Sequence, residues 1–264
     1  MKTTNFFITV LTALLLISCV PTQNATPALQ LAKRVPATFD YSPPSRVQIG
    51  QNDIAIAIVK PIYIGKNAEY FISPFNEMSN RMSNDFEELL TAKGFTVKGP
   101  YGSRDEMTYS DKVSSSFILE ISIELNPQYN RKSTMSTHRP NLVAVMVNKD
   151  APTTYTYKMS GDSTLSGNLI IKAKSAQYGE LLWAKSIALA PTSFTLPSQL
   201  DWETVPTMAQ ELDKDALVYN TLSAELEKMY LKTMTLAWQQ IDSAEMKTIA
   251  EQGKKADKRE RGNN

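Results

Sequence analysis

Residues 53–98 spell strand, helix, strand, and that order constrains the fold more than any other stretch of the chain. Asp53-Ile-Ala-Ile-Ala-Ile-Val59 is an apolar, β-branched run closed by Lys60-Pro61, which has the composition of a buried strand. Ser73-Pro74 predicts a helix start, with a capping residue followed by Pro at the first helical position. Phe75, Met78, Met82, Phe86, Leu89 and Leu90 recur at helical spacing, and Gly94 stands where a C-terminal cap belongs. Phe95-Thr-Val-Lys98 is a second short strand. Two strands joined through a helix run parallel, with the helix crossing over them.

The rest of the chain predicts how that unit is completed. Phe117, Leu119, Ile121, Ile123 and Leu125 alternate with Glu120, Ser122 and Glu124, the period-two pattern of a half-buried strand. Leu142 to Val147 is a further apolar strand, and Tyr155 to Thr164 alternates weakly. Asn168 to Ser175 and Glu180 to Leu189 flank Gln177-Tyr-Gly179 and read as a β-hairpin, with Gly179 supplying the turn geometry. Pro191, Pro197 and Pro206 bracket a loop. From Met208 to Glu251 there is neither Gly nor Pro, and Leu212, Ala216, Tyr219, Leu222, Leu226 and Met229 form a helical stripe. This predicts one long helix, kinked near Asp213-Lys214. The predicted fold class is α/β (α+β): a mixed β-sheet flanked by the Pro74 to Lys93 crossover helix and by the long C-terminal helix. The stripe on that last helix serves packing on the sheet or a homodimer.

The amino end predicts where the protein resides. Lys2 precedes an uncharged stretch from Phe6 to Ile17, and Leu16-Ile17-Ser18-Cys19 follows. A basic start, an apolar middle and small residues at the cut make an export signal. The stretch is short for a membrane span, which needs about 20 residues. The tetrapeptide has the form of a lipobox, in which cleavage precedes a cysteine that then carries lipid such as palmitate. Cys19 is the single cysteine of the chain. The partition that follows is 1–18 signal peptide, 19–50 tether, 51–252 single α/β domain and 253–264 basic flexible tail. The tether reading rests on Pro21, Pro27, Pro36, Pro43 and Pro44, with Leu29 to Phe39 as a part that can order against the domain.

Composition narrows the function classes. With 42% apolar and 21% charged residues the chain is globular rather than disordered, and a net charge of +1 gives no general attraction to nucleic acid. No disulfide is possible with one cysteine. No nucleophile elbow, phosphate loop, zinc-protease helix or dinucleotide fingerprint is present, so the expectation is a protein that is not an enzyme and needs no cofactor or metal. His138, the single histidine, sits in a polar loop-like stretch with no triad-type motif around it. Glu120 and Glu124 lie about 13 Å apart along their strand, a solvated face rather than an acid pair. The candidate contacts are in the segment after the alternating strand. Arg131, Lys132 and Arg139 form a basic cluster able to take an anionic group such as a sialic acid carboxylate, with Tyr129 beside it. The alternative is an ordinary exposed loop, and the tyrosines are equally at home in strands.

The lipobox, the Leu29-Gln-Leu31 entry, the Ile54 to Pro61 strand, the helix ending Leu89-Leu90-Thr-Ala-Lys-Gly-Phe-Thr-Val97, the Phe117 to Pro127 strand and the basic C-terminal helix occur in one order. In that order the chain resembles the neuraminyllactose-binding haemagglutinin family, the adhesin A lipoproteins of the epsilon-proteobacterial outer membrane. The resemblance implies a lipid anchor at Cys19, a place at the bacterial outer membrane and cell surface, and binding of sialylated glycans. The family's proposed sugar motif, Lys-Arg and three residues on Lys, aligns with Pro127-Gln-Tyr-Asn-Arg-Lys-Ser-Thr-Met135. Arg131 keeps its place, while Asn130 and Met135 stand where the family has lysines. The function predicted is a membrane-anchored adhesin. The alternative is a non-enzymatic, periplasm-facing lipoprotein that docks other proteins.

Overall fold

Strand β1 (Ala55–Val59) lies between β3 (Thr96–Tyr101) and β4 (Phe117–Leu125) and runs parallel to both, with Ile56 opposite Val97 and Phe117. These are coordinates of a computed structural model, which describes residues 31–140, 146–148 and 152–262. Helix α1 (Phe75–Ala92) makes the crossover from β1 to β3, as its sequence position requires. The short β2 (Ile62–Ile64) joins β4 in parallel. The remaining ladders are antiparallel. β6 (Thr154–Lys174) pairs with β4 through Ile171 and Ile121, and with β7 (Leu181–Thr195) on its other side. β5 (Gln128–His138) continues the line of β4 past Asn126-Pro127 and pairs with the outer half of β6, while β8 (Asp201–Trp202) caps its other side. The described residues thus form one mixed eight-stranded sheet.

Alternation decides which face is covered. Phe117, Leu119, Ile121, Ile123 and Leu125 point to the same side as Leu169 and Ile171, and both sets are buried. Phe86 and Leu89 of α1, Leu222 and Leu226 of α4 (Ala216–Gln240) and Met246 and Ile249 of α5 (Ser243–Gly262) close over them in a single core cluster. The other face carries only a small cluster of Ala57, Val59, Met107, Ile118 and Ala176. Beyond it, Glu120 pairs with Lys174 at 2.6 Å and Glu124 accepts from Asn168 Nδ2 at 2.8 Å. Those contacts are cross-strand pairs on a half-exposed surface. No helix among the described residues is long and apolar enough to cross a membrane.

Several local expectations differ from the structure. The predicted long helix is three: α3 (Met208–Lys214), α4 and α5. Each break has an aspartate at it. Asp215 Oδ1 accepts the amides of Leu217 and Val218, and Asp242 Oδ2 accepts those of Ala244 and Glu245. A side chain that bonds its own downstream amides competes with continuous helix and starts a new one. The stripe from Val218 through Leu222, Leu226 and Met229 is buried inside the domain. Residues 253–262, expected as a flexible tail, are the last turns of α5. A Cβ on Gly253 would stand 2.6 Å from Ser116 O, so glycine lets the helix lie against the chain before β4, and Ala256 and Asp257 are buried there. Of the tether 19–50, residues 31–50 are described, and Phe39 and Tyr41 are core residues. The Tyr41 amide and the Tyr230 hydroxyl both donate to the buried Asp85, at 2.9 and 2.6 Å. Helix α1 begins one residue late: Ser73 Oγ bonds Glu77 and Tyr219 OH instead of capping. Cys19 and most of the Leu142 to Val147 segment lie outside the described residues; Met146 and Val147 are exposed.

The Asp242 cap predicts a pH dependence. The Glu245 and Ala244 amides and the nearby Lys93 ammonium hold its carboxyl below the ordinary carboxylate value of 3.8. A depressed folded value means that the cap's contribution is full above the unfolded value and is lost as pH falls through the folded one. An NMR titration of Asp242 should show a midpoint below 3.8, and the Ala244 and Glu245 amides should shift with it. A midpoint at or above the ordinary value would remove Asp242 as the helix cap.

Candidate functional site

The four candidate contacts lie on and just beyond β5, which is a strand and not the expected loop. It pairs residue for residue with β6, Arg131 opposite Gly161 and Lys132 opposite Ser160. Neighbours on a strand point to opposite faces, so Arg131 and Lys132 cannot act together. Lys132 and Arg139 are exposed. Lys132 and His138, at the strand's end, are about 20 Å apart along the strand, and Arg139 lies one residue further. One carboxylate cannot bridge Lys132 and Arg139.

Arg131 and Tyr129 point inward. The Arg131 guanidinium is 8% exposed and forms an ion pair with Glu211, itself 2% exposed, on α3. It also donates to the Leu196 carbonyl. The Gly161 backbone opposite it has φ +144, and a side chain there would collide with the Asn130 carbonyl. Tyr129 packs against the main core, and burial pushes its phenol far above the ordinary value of 10.0, with Glu69 and Tyr70 adding to the shift. His138 Nε2 bonds Thr156 Oγ1 across the ladder at 3.0 Å. Among the described residues no group of three or more His, Cys, Asp or Glu is arranged to hold a metal.

The structure assembles a different set of polar groups elsewhere. An open cleft of about 420 Å³ lies at the amino ends of the parallel strands β1, β3 and β4. Asp53 leads into β1, and Ser114, Ser115 and Ser116 lead into the neighbouring β4. Lys254 and Lys258, one turn apart on α5, line it too, with Asp257 between them. Asp257 is held by a hydrogen bond from Ser175 Oγ at 2.9 Å. Ser116 Oγ accepts the Ala55 amide at 3.3 Å, which keeps its proton free to donate. Lys98 donates to Ser114 at the same rim. Asp53 adopts φ +48, the left-handed region that side chains other than those of Gly, Asn and Asp rarely enter.

None of the cleft residues was singled out from sequence. The available signals were the Ser114-Ser115-Ser116 run before a strand and the Lys254/Lys258 spacing. The second is meaningful only if that segment is helical and docked, and the reading of 253–264 as a tail hid it.

No protein-family model matches the chain, and no curated protein matches it. Among solved structures, a Helicobacter pylori protein named as a homolog of neuraminyllactose-binding hemagglutinin is similar, at 12% identity and a TM-score of 0.54. The match covers 84% of this chain and 100% of that one. At that identity the likeness is one of fold. A lipoprotein of Neisseria meningitidis aligns at 12% identity over 67% of this chain and 97% of its own, with a TM-score of 0.28. A Xanthomonas campestris protein aligns at 10% identity over 82% and 99%, with a TM-score of 0.34.

Proposed function

We propose that this chain is an exported lipoprotein, acylated at Cys19 and held at the bacterial cell surface, whose domain binds sialylated glycans without catalysis. The observation that carries the reading is the shared fold along the full length of the Helicobacter pylori chain, on a sequence that opens with a lipobox. A lipid-tethered domain with a polar, open cleft suits recognition of a hydroxylated ligand. This reading does not use Arg131, whose guanidinium is paired with Glu211, or the half-buried Tyr129. The test is a glycan array probed with the full-length chain in detergent micelles, using sialylated and sialidase-treated pairs. Binding lost on desialylation is the expected result; equal binding to both members of every pair would end the sialic acid reading.

One observation favours a second reading. Among the described residues β5 pairs with β6 alone, so one edge of an eleven-residue strand is open to an added strand from a partner protein. Protease shaving of intact cells separates the two. A domain cleaved at the surface fits the adhesin, and a protected one fits periplasmic docking.

A further inference from the structure

We infer that the cleft between Ser114–Ser116 and the Lys254/Lys258 turn of α5 is the ligand site, and that it takes an acidic sugar. The assignment rests on the glycan-binding reading and adds the site and the pose to it.

The chemistry comes from what the cleft presents. Lys254 and Lys258 are exposed, and their ammonium groups make no ion pair among the described residues. Like charges four residues apart on a helix repel each other. A carboxylate placed between them relieves that repulsion and gains charge-assisted hydrogen bonds from both. Acidic side chains lie on the same walls. Carboxyl oxygens accept hydrogen bonds, so the side chains of Asp53 and Asp257 suit the hydroxyls of a saccharide. Ser116 Oγ–H supplies a donor between the two sets. A bare phosphate would meet the lysines but be repelled by the two carboxylates. A sugar with one carboxylate and several hydroxyls satisfies both signs. The volume, about 420 Å³, is within the range of ligand sites, about 300–1,000 Å³. Two backbone features shape the cleft. Gly253 lets α5 approach Ser116, and Asp53 holds its left-handed conformation at the entry to β1.

The experiment measures the affinity of the full-length chain in micelles for 3′-sialyllactose and lactose by titration calorimetry. It compares wild type, K254Q/K258Q, and K247Q, which removes an exposed cation from the same helix. The double variant should weaken sialyllactose binding by about tenfold or more, while K247Q leaves it unchanged. Unfolding curves check that both variants keep the fold. Unchanged affinity in K254Q/K258Q overturns the site while leaving glycan binding standing, and loss of affinity in K132Q would then place the ligand on β5. No sialyllactose binding by wild type overturns the glycan reading and this assignment with it. Displacement of sialyllactose by an equal concentration of inorganic phosphate overturns the saccharide assignment in favour of a simple anion site.

Discussion

Arg131→Ala should destabilise the domain by about 3–5 kcal/mol, because it leaves the Glu211 carboxylate buried and unpaired. The guanidinium binds two elements at once. It pairs with Glu211 on α3 and donates to the Leu196 carbonyl after β7, so both of that side chain's tertiary attachments are lost together. Urea unfolding of the single variant against wild type gives the number. A loss under about 1 kcal/mol would mean that Glu211 reaches water when Arg131 is gone, and the buried-pair description would fall. The double replacement Arg131→Met with Glu211→Leu should recover most of the loss, since apolar side chains of similar size often replace a buried pair at little cost. This bears on function directly. An Arg131 variant that fails to bind glycan is expected to fail because the domain is weakened, so a binding assay on it does not report a contact.

Asp215→Ala should cost a similar amount, about 3–5 kcal/mol, by a different route. Both carboxylate oxygens are in use. Oδ2 accepts Ser198 Oγ at 2.6 Å and the amides of Gln199 and Leu200 at 2.9 and 3.1 Å. Oδ1 accepts the Leu217 and Val218 amides at the start of α4. Asp215 is fully buried, so its loss leaves several donors without an acceptor and without water. Asp215→Asn keeps one acceptor oxygen and should recover the helix cap but not the 198–200 loop. Hydrogen exchange resolves the two: Leu217 and Val218 amides stay protected in the Asn variant, while those of Gln199 and Leu200 exchange faster. Equal protection at all four positions in the Ala variant would show that other acceptors take over.

The strand and helix assignments succeeded where one face of an element meets the core. The alternation from Phe117 to Leu125 and the stripe from Phe75 to Leu90 both came from the burial pattern, and both elements stand where the pattern puts them. Gly179, with φ +77, sits in the predicted β6–β7 turn for the reason given from sequence. β5 was missed because its inward residues are Tyr129 and Arg131, and a strand that buries an ion pair has no hydrophobic alternation to show. The kink expected near Asp213-Lys214 is a full break at Asp215, while the break at Asp242 was missed because an aspartate inside a periodic segment reads as solvent-facing. Nothing local says that its oxygens turn back on its own chain.

Hydrophobic periodicity, a local property that the core then enforces, specified the parallel β1–β3 unit and the mixed α/β class. Which cations reach solvent depended on long-range packing. Arg131 and Lys132 are adjacent in sequence, yet the strand pleat sends one to Glu211 and the other to water. Lys254 and Ser116 are far apart in sequence, and Gly253 lets them line one cleft. A binding site depends on such long-range neighbours, and adjacency along the chain does not specify them.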